Sequence, residues 1–296
     1  MKKWYRDYGL QARMMLTMFL LAALYVFFLV ILLQYGVDTY GLIVFAGFFL
    51  LIQFFFSDKL VLWSMGGRIV TEQEEPRLHE TISRLCAIAD LPKPKIAVVE
   101  SNVPNAFATG RSKNSAVVAV TTSLRQKLSE PELEAVLAHE LSHVKNRDML
   151  VITIASFLST VAFFLVRNML FFGMGGGNRD RNRGAGAAII IFVVSLVVWV
   201  ISFLLIRALS RYREFAADRG SAMITGQPSH LASALMAISG VMERVPSRDL
   251  REVEGMNAFF IIPAISGDSI MSLLSTHPPV EARIRALEEM ERRMEF

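Results

Sequence analysis

The 296 residues predict a mainly α-helical, polytopic membrane protein with a small β-sheet, and three observations carry that reading. Hydrophobic residues make up 53% of the chain and the mean hydropathy is +0.42, outside the range of an ordinary soluble domain. Four stretches, 14–33, 39–56, 149–166 and 187–206, are apolar and carry no charge. Each would form a helix of roughly 27–30 Å, long enough to cross a hydrocarbon core. Two runs, 96–100 and 116–121, have the short, β-branched character of strands and are separated by a Pro-, Asn- and Gly-containing segment, 101–115, read as a loop.

These stretches divide the chain. Residues 1–56 form an N-terminal membrane hairpin. The first apolar run is too long for a signal peptide and lacks a clear small-residue cleavage site, so it is read as a retained anchor. Residues 149–206 form a second hairpin. The polar segments 57–148 and 207–296 are expected to combine into one domain of about 180 residues. Within them, 78–89 reads as an amphipathic helix, and 278 onward, including 282–294, as a terminal helix with exposed charges.

Between the hairpins lies His139-Glu140-Leu141-Ser142-His143, the pattern HExxH. Residues four apart share a helix face, so both imidazoles can reach one metal ion. Zinc accepts neutral histidine nitrogens, and a nearby glutamate can take a proton from zinc-bound water. The flanking residues predict the helix. Ser129 and Glu132 form a capping box and Pro131 is tolerated in the first turn. Leu133, Leu137, Leu141 and Val144 then form one apolar stripe, with the histidines on nearly the opposite side, offered to a cleft. Glu140 falls between the two faces.

Charge orients the chain. The net charge of +4 and pI near 9.3 accompany no recognisable nucleic-acid motif, and cytoplasmic Lys and Arg beside anionic lipid account for them. Lys2, Lys3, Arg6 and Arg13 precede the first span, and the turn after it, 34–38, has no positive charge. The loop 167–186 opposes this pattern with Arg167, Arg179, Arg181 and Arg183 against Asp180. The remaining 27 of the 31 Lys and Arg fall on the side of the HExxH helix, which is therefore placed in the cytoplasm. The Gly-rich run 173–177 lacks the ending of a phosphate loop and is read as a connection. The single cysteine, Cys86, excludes an intrachain disulfide and reads as a small buried residue.

Two histidines do not complete a catalytic zinc site, which commonly adds a glutamate and leaves a position for water. Glu214 and Asp218 follow the last apolar stretch, four residues apart. Glu214 could ligate the metal while Asp218 holds a ligand imidazole. By itself an ExxxD pair is usually a solvated helix face.

With these residues in view, the chain resembles the HtpX family of bacterial membrane zinc metallopeptidases, related to the CAAX prenyl endopeptidases. The resemblance rests on Asn105-Ala106-Phe107-Ala108-Thr109-Gly110, on the HExxH at 139–143, on the ExxxD at 214–218 and on Thr276-His277-Pro278-Pro279. It implies a zincin-type catalytic domain with one Zn²⁺ per subunit held by His139, His143 and Glu214. Glu140 would be the general base, Asp218 would hold a ligand, and His277, supported by Arg283, would help stabilise the tetrahedral intermediate. Asn105 would lie near substrate. Read without the family, His277 is equally a turn residue before a helix and Asn105 a loop cap.

The resemblance further implies a bacterial inner-membrane endopeptidase that cuts misfolded or damaged membrane proteins from the cytoplasmic side, in quality control. Its partners would be protein substrates and the bilayer. The substrate is expected to add as a strand beside 116–121. Two rivals predict different behaviour: a prenyl-protein processing protease, and a non-catalytic zinc-binding scaffold.

Overall fold

The computed structural model describes residues 7–36, 61–172, 181–242, 261 and 275–294, with isolated positions 40, 41, 44, 47, 48 and 51. The expected second span, 39–56, is otherwise outside the described residues, as is the Gly-rich run 173–177. Three described helices are long and apolar enough to cross a membrane: Tyr8–Gln34, Asp148–Arg167 and Gly186–Thr225.

Helix α1 (Tyr8–Gln34) starts at Asp7, whose carboxylate accepts the Leu10 N–H at 2.9 Å. Thr17, Leu21, Tyr25, Phe28 and Leu32 recur every three or four residues and form its buried face, while Met15 and Phe19 are exposed. A four-stranded sheet follows. Strand β1 (Gly67–Ile69) leads through α2 (Pro76–Ala89) to β2 (Lys95–Val99). Strand β3 (Ala106–Thr109) and a 3₁₀ turn (Lys113–Ser115) precede β4 (Val117–Thr121). The order is β1-β2-β4-β3, with β2 and β4 parallel and the other pairs antiparallel.

This sheet corrects two expectations. The segment 101–115 is not all loop, because Ala106–Thr109 pairs with Val117–Val120 as β3. Four residues between a turn and a glycine carry too little period-2 signal to mark a strand in isolation. Strand β4 is central, flanked by β2 and β3, so its backbone cannot accept a substrate strand. Among the described strands β1 and β3 form the two edges, and β3 is the one beside the HExxH helix.

After the short α3 (Thr122–Lys127), helix α4 (Glu130–Asn146) carries HExxH. Its capping box is formed in both directions, with the Ser129 N–H donating to Glu132 Oε2 at 2.9 Å. Arg147 then adopts a left-handed conformation, φ 56°, and its N–H closes the last turn on His143 and Val144. The chain turns there directly into α5 (Asp148–Phe172). Helix α6 (Arg181–Thr225) runs for 45 residues, about 67 Å at 1.5 Å per residue. It passes without a break from the last apolar stretch into the polar domain. Helices α7 (Pro228–Met242) and α8 (Val280–Met294) complete the fold.

Two cores result. The larger joins the sheet to α2, α4 and α7 through Ile82, Leu85, Val118, Val120, Leu137 and Leu235. Each such side chain contributes about 1.5–3 kcal/mol on burial. The second lies among α1, α5 and α6, around Phe28, Leu32, Ala162 and Leu209. Lipid is as apolar as these residues, so packing and interhelical hydrogen bonds hold that bundle. Tyr25 donates to the Ala155 carbonyl at 2.6 Å, and Ser202 to Ser159 Oγ at 2.8 Å. Cys86 is buried in the larger core as a free thiol.

Candidate metal centre and active site

Helix α4 is buried from Ala135 to Ser142, on both faces. Its leucines meet the main core, and its histidine side packs under α6 while His139, Glu140 and His143 still line a cavity, the cleft that the apolar stripe predicted. Close approach is possible because Gly220 of α6 sits against Ser142. A Cβ there would fall 2.7 Å from Ser142 Cβ and closer still to its Oγ. One residue on, Ser221 donates to the Ala135 carbonyl at 2.6 Å. This contact sets Glu214 and Asp218 opposite the histidines.

The side-chain atoms of His139, His143 and Glu214 converge, all within 4.8 Å of one another. The two Nε2 atoms are 3.1 Å apart. His139 Nε2 lies 3.7 Å from Glu214 Oε2, and His143 Nε2 3.5 Å from Oε1. A tetrahedral zinc with bonds near 2.0–2.1 Å would separate its ligand atoms by about 3.3–3.4 Å, so the spacing fits one such ion. The protonation pattern agrees. His139 Nδ1 faces Asp218 Oδ1 at 3.0 Å, and His143 Nδ1 faces Asp148 Oδ2 at 2.6 Å. Each carboxylate favours the proton on Nδ1, which turns two Nε2 lone pairs and the Glu214 carboxylate toward a common point. A cation at that point relieves their mutual repulsion.

Asp148 was not singled out from the sequence. Its signal is position: five residues after His143 and just past the left-handed Arg147, it begins α5 and reaches back to the imidazole. Arg213, beside Glu214, forms an ion pair with Asp148 and donates to the Asn146 carbonyl at 3.0 Å. The α4–α5 corner is thereby tied to the ligand-bearing turn of α6.

Glu140 is 5% exposed and accepts the Ala108 N–H of β3 at 2.9 Å. Burial pushes its carboxyl above the usual glutamate range, partly opposed by His139 and His143. His277 Nδ1 lies 3.0 Å from Glu214 Oε2, at the same site. Arg283 is fully buried and grips Asp218 with two bonds, at 2.9 and 2.6 Å. Burial alone would lower its guanidinium pKa, and the carboxylates of Asp218 and Glu214 reverse this and raise it.

Asn105 stands apart from the other named residues. It is fully buried, and its side-chain oxygen accepts the Ile261 N–H at 3.1 Å. Arg283 donates to the Ile261 carbonyl at 2.7 Å, so both backbone groups of that residue are held. Ile261 in turn lines a cavity of about 450 Å³ that opens onto His139, Glu140, His143 and His277.

A predominantly helical chain with membrane-length helices, a small mixed sheet and an HExxH helix completed by a glutamate from a second helix is a zincin-type metallopeptidase. Comparison with known proteins agrees. Residues 72–291 match the model of peptidase family M48, and the chain belongs to that family and, within it, to the HtpX group. It is 66% identical over 294 residues to "Protease HtpX homolog 2" of Methanosarcina mazei, covering 99% of both chains. It is 59% identical to "Protease HtpX homolog" of Moorella thermoacetica, covering 98% of this chain and 97% of that one. In fold it is similar to the crystal structure of S. mikatae Ste24p, with a TM-score of 0.56 over 95% of this chain and 66% of that chain, at 19% identity. The protein is thus a membrane-associated metallopeptidase.

Proposed function

We propose that the protein is a zinc endopeptidase of the cell membrane, with one Zn²⁺ per subunit, whose catalytic domain faces the cytoplasm and cuts misfolded or damaged membrane proteins. The convergence of His139, His143 and Glu214 carries the reading, because three ligand atoms near tetrahedral spacing, two of them on buried residues, leave one position for water or substrate. When bound, zinc supplies Lewis-acid polarisation and a water acidified towards neutrality. Glu140 takes the proton of the attacking water and delivers it to the leaving amine. His277, held beside Glu214, donates to the developing oxyanion. Asp218 and Asp148 orient the ligand imidazoles, and Arg283 keeps Asp218 ionised. Asn105 positions Ile261 on the substrate side of the cleft. The substrate backbone adds along the edge of β3, beside Glu140.

Relatives named as HtpX proteases come from archaea and bacteria alike, so the membrane is that of a prokaryotic cell of either kind. The loading of Lys and Arg on the HExxH side supports the cytoplasmic placement.

The test is hydrolysis of an unfolded membrane protein by zinc-loaded wild type and by Glu140→Gln. Turnover by wild type, reduced about 10²–10⁴-fold in the variant at unchanged zinc content, is expected. Equal turnover would remove Glu140 from the chemistry. Cleavage of a prenylated tail alone would move the enzyme to the processing class, and zinc binding with no hydrolysis would favour a scaffold.

A further inference from the structure

The cavity at the metal centre does not stop at the chemistry. It continues between α5 and α6, from Met149 to Phe163 on one helix and from Ser210 back to Trp199 on the other. Fourteen residue rises along α5 make this about 21 Å. A single side chain occupies only a fraction of that length, whereas an extended segment of a few residues reaches along it. The polar end is the metal centre. The far end is apolar, where the tilted rings of Phe163 and Trp199 lie 5.4 Å apart between centroids.

The channel is open because of which residues face it. Ile152, Ser156, Ser159 and Phe163 recur at helical spacing on α5 and meet the similarly spaced Trp199, Phe203 and Ile206 on α6. Small residues usually let membrane helices close on one another. Here Ser156 and Ser159 face the cavity instead, and the Ser202–Ser159 bond joins the helices alongside it. Their hydroxyls offer partners to a backbone, and the aromatic and aliphatic residues take side chains. Apart from Arg207, which lies over the Phe203 ring at 4.5 Å, the lumen between these membrane-length helices is lined by apolar and hydroxyl side chains and opens on the metal ligands, which fits an apolar stretch of substrate.

We infer that the α5–α6 channel is a specificity subsite, seating a run of apolar substrate residues adjoining the scissile bond. The enzyme then selects bonds at the margin of an exposed hydrophobic segment, such as the end of a membrane helix that has lost its neighbours. This rests on the proposed protease function and names its substrate class.

The experiment uses full-length, zinc-loaded protein in detergent and two peptides with one scissile sequence, flanked by three leucines or by three serines. The leucine peptide is expected to have a kcat/KM about 10- to 100-fold higher, from one or two buried side chains. Ser156→Phe, which fills the channel, should erase that preference, bringing kcat/KM of the leucine peptide down to that of the serine peptide at unchanged zinc content. A benzophenone in the leucine run should label α5 or α6 between the metal centre and Trp199, a readout that does not require the variant to fold. Equal cleavage of both peptides by wild type, or labelling confined to other elements, overturns the subsite and leaves the protease standing. Cleavage of neither peptide overturns the protease reading and the subsite with it.

Discussion

At the level of single residues, the site is a set of buried charges whose partners lie within the same cluster. Glu140 shows the consequence for pH. It accepts a proton only when ionised, and burial holds its carboxyl above the usual range. Activity is therefore lost as pH falls through this raised value, and the acid limb of kcat/KM is expected above the roughly 4.3 of a free glutamate. A rate profile between pH 4 and 7 checks this, and a limb at or below the free value contradicts it. Asp148 tests the orientation of His143. Asp148→Asn weakens the 2.6 Å contact to Nδ1 and removes the ion-pair partner of Arg213. Zinc affinity is expected to fall about 10- to 100-fold, measured by competition with a chelator. An affinity within a factor of two of wild type would show that the imidazole needs no such holder.

At the level of elements, the site depends on how closely α4 and α6 approach. Neither helix holds the full ligand set. The histidines occupy one, Glu214 the other, and Gly220 against Ser142 sets the distance between them. Gly220→Ala gains helix propensity and yet drives a methyl group into Ser142. The expected outcome is a loss of about 1–3 kcal/mol in stability and reduced zinc occupancy, from overpacking. Denaturant unfolding in detergent together with metal analysis measures both. Adding Ser142→Gly should recover part of each, because it removes the atoms that the methyl group meets. If Gly220→Ala bound zinc normally and lost no stability, the close contact would not set the ligand geometry.

Over the whole molecule, one long helix couples membrane and chemistry. The apolar stretch of α6 packs on α1 and α5, and its polar end supplies Glu214 and Asp218. A metal held by α4 and α6 would thus join the two cores. Zinc at 100 times its Kd is expected to stabilise the fold by about 2.7 kcal/mol, a shift of several degrees in Tm. Thermal scans with chelator and with restored zinc should differ by that amount in wild type and coincide in His139→Ala. Identical scans in wild type would mean that the ion does not bridge the helices.

The sequence by itself determined what is periodic or local. The membrane-length helices at 8–34 and 148–172 follow from composition, the Ser129–Glu132 cap from a three-residue spacing, and the His139/His143 pair from the helical repeat. Glu214 and Asp218 could be paired with those histidines only through family resemblance, since 71 residues separate Glu214 from His143 and no spacing rule reaches that far. The tertiary structure decided the rest. It put β3 at an edge and closed β4 between neighbours, which depends on strand order. It placed Asp148 under His143 through one left-handed residue, and turned Asn105 toward Ile261, 156 positions away. It also left a channel between α5 and α6 where each sequence alone shows only an apolar span. Periodicity tells which face of an element is buried, and only packing tells what that face is buried against.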